Sequence, residues 1–108
     1  MKPRKIIAQE LDRLQQERLR YTDGTSLDSK YRYYTLSGKI DALKKLSAER
    51  KIQRDTVDAL RQEIENRYRE IRKIPKHKRD IYQTLQGVYL EAQLDIIQTW
   101  VFPVLLGG

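Results

Sequence analysis

Cysteine is absent from this chain, which removes disulfide frameworks, thiolate zinc sites and cysteine nucleophiles together. Histidine occurs once, as His77 inside a run of lysines and arginines, and is expected to be a solvated corner residue. No P-loop, GxSxG elbow or HExxH helix is present. The carboxylate pairs Glu63/Glu65 and Asp55/Asp58 have the spacing of ordinary surface charges. Neither an enzyme nor a cofactor or metal site is expected. Long apolar runs are also missing. No window approaches the roughly 20 residues needed to span a bilayer, so no integral membrane insertion is expected. The opening MKPRKIIAQELDRL becomes charged too soon for a signal-peptide core. A cytoplasmic protein is the expectation.

Proline and glycine are sparse, with 3 and 5 copies in 108 residues, and their placement punctuates the chain. Pro3 precedes a helical pattern, Asp23-Gly24 and Pro75 make turns, and Pro103 and Gly107-Gly108 stand at the end. Between these marks lie helix-period segments and no convincing strand. From about residue 4 to 21, Ile7, Leu11, Leu14, Arg18 and Tyr21 form one heptad seam. After the loop TDGTSLD, Thr25 with Asp28 has capping-box spacing. Leu36, Leu43, Arg50, Val57, Ile64 and Ile71 then recur seven apart, with Tyr33, Ile40, Leu46, Leu60, Tyr68 and Ile74 beside them. Unbroken over 27–74, that segment would be a helix of roughly 70 Å, with Ser37-Gly38 as the expected kink. A third helix is expected over 77–101, followed by an apolar tail, 102–108.

The predicted fold is therefore all-α. It is a single elongated helical domain over residues 1–108, whose long coiled-coil-like central helix is flanked by two shorter antiparallel ones. Two helices at each level make a thin core, while the third helix and its tail are apolar. That surface predicts self-association, most simply a two-fold dimer, or docking of a protein partner. Leu94, Ile97, Trp100, Phe102, Leu105 and Leu106 are the candidate interface.

Charge supplies a second line. The chain has 22 Lys/Arg against 15 Asp/Glu, for a net charge of +7. Residues 80–108 carry no Lys or Arg at all. The stretch ENRYREIRKIPKHKRD brings Arg67, Arg69, Arg72, Lys73, Lys76, Lys78 and Arg79 around Pro75. Arg72 and Lys73 suit a helix C-terminus; Lys76, Lys78 and Arg79, at the start of the next helix, oppose its dipole, which leaves either a solvated tip or an anion-binding one. Two further basic sets are KYRYYTLSGK, whose tyrosines are interleaved with cations, and Arg50, Lys51, Arg54 and Arg61. Two functions follow. The favoured one is a non-enzymatic helical assembly or adaptor protein acting through the apolar third helix and tail. The alternative is nonspecific DNA or RNA binding through the 67–79 elbow.

Overall fold

Arg4 is the residue that closes the first helical hairpin. Its guanidinium donates to the Ser47 carbonyl at 2.7 Å, to that of Arg50 at 3.0 Å and to that of Glu49. It thereby pins the start of α1 (Pro3–Arg18) to the end of α2 (Leu27–Ser47). The last carbonyls of a helix have no partner within it, so a cation there satisfies both hydrogen bonding and the dipole. At the other end of the hairpin the Arg32 guanidinium lies 5.8 Å from the Tyr21 ring centre. The two helices are thus antiparallel.

This computed structural model describes residues 3–107. Three more helices follow: α3 (Arg54–Arg72), α4 (Ile81–Ile96) and the short α5 (Phe102–Gly107), with a π-helical turn, Ile97–Val101, joining the last two. Among the described residues there is no strand. α4 packs along both α2 and α3, and α1 packs against α2. The shared core takes Ile7 and Leu14 from α1, Leu36, Ile40, Leu43 and Leu46 from α2, and Val57, Leu60 and Ile64 from α3. Leu90, Ile96, Ile97 and Val101 complete it.

The central helix expected over 27–74 does not exist. α2 ends at Ser47 and α3 begins at Arg54; the longest dimension of the molecule is 44 Å, too short for a 70 Å rod. The break falls in the polar stretch around Arg50, the seam position that an apolar core had no use for. Opening those residues forfeits a few helical hydrogen bonds of about 1 kcal/mol each. Folding α3 back lets it bury Val57, Leu60 and Ile64 at about 1.5–3 kcal/mol each, and burial wins. The elongated three-helix arrangement is replaced by four longer helices packed together.

α2 continues unbroken through Gly38. A Cβ there would stand 2.3 Å from the Tyr89 carbonyl oxygen and 3.1 Å from the Ala92 Cβ. The glycine lets the α2 and α4 backbones meet.

Three boundaries also shift. Ser26, not Thr25, caps α2, accepting from the Ser29 amide at 3.1 Å. α4 starts at Ile81, behind a capping box in which Asp80 accepts from the Gln83 amide at 2.8 Å and Gln83 answers at 3.0 Å. The apolar tail is helical to Gly107. Pro103 cannot donate a backbone hydrogen bond, and the wider π turn just before it takes up the change in register. Gly108, the last residue of the expected tail, lies outside the described residues, as do Met1 and Lys2.

Candidate nucleic-acid interface

The turn at Pro75 is built by the chain itself. Lys76–Lys78 form one 3-10 turn, and the Arg79 Nε donates 2.9 Å to the Ile74 carbonyl, tying the entry of α4 to the exit of α3. Lys76, Lys78 and Arg79 therefore precede the Asp80 cap and do not sit in the first turn of α4. The argument that they oppose a helix dipole loses its force, since Asp80 meets that dipole.

The other elbow cations divide by their partners. Arg67 pairs with Glu63 at 3.0 Å and Lys73 with Glu70 at 2.9 Å. Arg69 reaches only the Asn66 side-chain oxygen, at 3.4 Å. The Arg72 guanidinium lies 5.8 Å from the Tyr68 ring centre. Lys76, His77 and Lys78 are exposed, and Arg79 is half-buried.

Tyr68 organises what remains. It lines a groove of about 660 Å³ together with Glu65, Arg69, Arg72, Lys73 and Leu94. It also lines a groove of about 340 Å³ together with Tyr31, Lys76, Arg79, Thr84, Gly87, Val88 and Glu91. Both volumes fall in the range of roughly 300–1,000 Å³ found for small-molecule sites. The acids in these grooves are engaged. Glu65 accepts from Arg61 at 2.8 Å, and Glu91 accepts from the Tyr68 hydroxyl at 3.3 Å. Burial, with Glu91 beside it, holds the Tyr68 phenol above its ordinary pKa, while Arg72 and Arg79 pull the other way. Tyr68 is a neutral, hydrogen-bonded side chain shared by two cation-rich grooves.

Tyr31 is the residue that local reasoning did not join to the elbow. It comes from the basic set KYRYYTLSGK and reaches the groove because the first turns of α2 and α4 lie side by side. Tyr33, Tyr34 and Arg32 of that set are otherwise occupied. Arg18 lies over the Tyr33 ring at 5.4 Å, Tyr33 and Tyr34 meet edge to face, and Arg32 pairs with Asp28 at 3.1 Å. In the third set, Arg61 is held by Asp58 at 2.7 Å and by Glu65, whereas Arg50, Lys51 and Arg54 cluster at the α2–α3 connection.

The expected apolar interface is largely inside the molecule. Ile97 is fully buried, and Leu94, Trp100, Phe102 and Leu105 are half-buried against the core. Only Leu106, 76% exposed, stands free. The thin two-helix layers that called for a second subunit are absent, because α4 fills the space between α2 and α3. Among the described residues no cluster of three or more His, Asp or Glu could hold a metal ion, and no helix is long and apolar enough to cross a membrane.

These features define an all-α, cation-rich helical protein with an aromatic-walled double groove at one end. Compared with protein-family models, curated proteins and solved structures, the chain matches none of them.

Proposed function

We propose that this protein is a non-enzymatic nucleic-acid-binding protein that holds single strands in the two grooves sharing Tyr68. The observation that carries the reading is the meeting of Tyr31 and Tyr68 with Lys76 and Arg79 in one groove, beside a second lined by Arg69, Arg72 and Lys73. Phosphates take the cations and an unpaired base stacks on an aromatic wall, a combination tolerant of sequence. A duplex keeps its bases stacked inside and gains only the cations. Single strands should therefore bind more tightly than the matching duplex.

The test is a titration against a labelled single strand of about 30 bases and its duplex. Neutralising about five phosphates makes single-strand affinity fall roughly 100-fold between about 50 and about 200 mM salt. Tyr31→Ala should cost at least about fivefold on the strand, the low end of one lost stacking contact, and little on the duplex. No binding at low salt sinks the reading.

A second reading, assembly on itself or on a protein partner through the C-terminal segment, is supported by Leu106, exposed beside half-buried Phe102 and Leu105. Leu106→Ser would then lower the mass measured by light scattering. An unchanged mass counts against it.

A further inference from the structure

We infer that the molecule has two separate cationic poles and bridges two nucleic-acid segments, an inference that rests on the single-strand reading above. The topology brings chain ends together in two sets. Arg4 at the start of α1 touches the end of α2, and a groove lined by Lys45, Leu46, Glu49, Thr56, Leu60 and Glu63 joins the end of α2 to α3. The exit of α1, the starts of α2 and α4 and the exit of α3 meet at the elbow. Charge follows this division. The elbow pole, residues 18–32 and 67–83, holds 11 Lys/Arg against 4 Asp/Glu. The opposite pole, residues 3–7, 44–56 and 98–107, holds 7 against 2. The waist between them, residues 8–17, 33–43, 57–66 and 84–97, reverses sign, with 3 cations against 9 acids.

Part of the opposite pole has a structural use. Arg4 caps α2, and Lys44 and Lys45 in the last turn of α2 complement its dipole. Neither use covers Arg50 and Lys51 in the connection or Arg54 at the start of α3. None of Lys44, Lys45, Arg50, Lys51 and Arg54 has an acidic partner within ion-pair distance among the described residues. The molecule is 44 Å long, several times the Debye length of about 8 Å at physiological salt. Each pole therefore attracts phosphates independently, and the acidic waist repels a strand laid from one to the other. Two segments, one at each pole, satisfy this distribution.

The experiment immobilises an oligothymidylate of about 15 bases, adds the intact protein, and reads capture of the same strand carrying a fluorophore from solution. Thymidylate strands do not pair, so capture requires the protein. The combined variant Lys44→Glu, Lys45→Glu, Lys51→Glu should hold one strand within about threefold of the parent while capture falls at least about tenfold. Arg69→Glu with Lys76→Glu should lose both. Circular dichroism and thermal melting establish that each variant is folded, and light scattering gives its mass. If the parent binds a strand without capturing a second, or if the Lys44/Lys45/Lys51 variant captures as well as the parent, bridging by this pole is wrong and the elbow site still stands. Equal loss of binding and capture in that variant means one continuous site and also overturns the inference. A parent that binds no strand, whether or not phosphatidylserine vesicles recruit it, overturns the elbow reading itself.

Discussion

The Tyr89 hydroxyl donates to the Asp41 carboxylate across the contact between α4 and α2, and the Gln93 amide donates to that same hydroxyl at 3.5 Å. Gln93 is the one buried polar side chain among the described residues, at 2% exposure. Every buried side-chain polar atom among them has a partner, as the cost of an unsatisfied buried group, about 1–3 kcal/mol, demands. The chain uses this short polar relay to set the register of its tightest helix crossing.

The relay gives stability an alkaline limit. Burial first, and then the bond to Asp41, raise the Tyr89 phenol above its ordinary pKa near 10. A raised pKa means that the folded state keeps its proton where the unfolded chain would release it. The contribution is complete below pH 10 and is lost as pH climbs through the folded value. Denaturant midpoints measured from pH 8 to pH 11 should fall above pH 10. The fall should be shallower in Tyr89→Phe, with Tyr68, shifted in the same direction, supplying what remains. Equal slopes in the two proteins would remove Tyr89 from this role.

Two helical glycines should respond in opposite directions to the same substitution. At Gly38 a methyl group would meet the Tyr89 carbonyl, which cannot move without shifting α4. The expected loss is about 1–3 kcal/mol, as for other overpacked cores. At Gly87 the nearest neighbour to a new Cβ is the Ile71 side chain, at an ordinary 3.6 Å. Alanine there should gain about 0.5–1 kcal/mol from helix propensity alone. Thermal melts of Gly38→Ala and Gly87→Ala check the contrast, and two shifts of the same sign would contradict it.

The pair also shows what the sequence could convey. Helical periodicity made the all-α class legible, and four of the six heptad positions, Leu36, Leu43, Val57 and Ile64, are indeed core. The break after Ser47 was not legible. Ala48, Glu49, Arg50 and Lys51 are good helix formers with no glycine or proline among them, and only the burial that α3 gains by turning back ends the helix. The packing role of Gly38 was hidden for a related reason. A glycine inside a helix signals either a bend or a close neighbour, and the neighbour, Tyr89, lies far along the chain. The elbow cations were visible as a cluster, and the i,i+4 and i,i+3 spacings of Glu63–Arg67 and Glu70–Lys73 were the unused signal that two are paired. The arrival of Tyr31 beside Lys76 depends on α2 and α4 lying side by side, which no local pattern contains.

Arg4 should matter more than an exposed arginine usually does. It satisfies three carbonyls where α2 ends without a glycine cap. Because the group is exposed, solvent competes for those carbonyls, and the expected cost of Arg4→Ala is about 1 kcal/mol, near the net value of one hydrogen bond. Hydrogen exchange localises it. Amides at the end of α2 should lose protection while those of α4 keep theirs. A loss spread evenly over the chain would mean that Arg4 acts on global stability alone.

Trp100 and Phe102 separate packing from assembly. Both are half-buried against the chain's own core, so truncation should be felt within one molecule. Trp100→Ala is expected to cost about 2 kcal/mol, below the 3–5 kcal/mol of a fully buried tryptophan or phenylalanine. Leu106→Ser, at a side chain that is largely exposed, should leave thermal stability within about 0.5 kcal/mol. Melting and light scattering on both variants give a two-way readout. A lowered melting temperature with unchanged mass for Trp100→Ala assigns the residue to the intramolecular core. A lowered mass at unchanged intrinsic stability, for either variant, would instead make the C-terminal helix a subunit interface. The core would then be completed by a second chain.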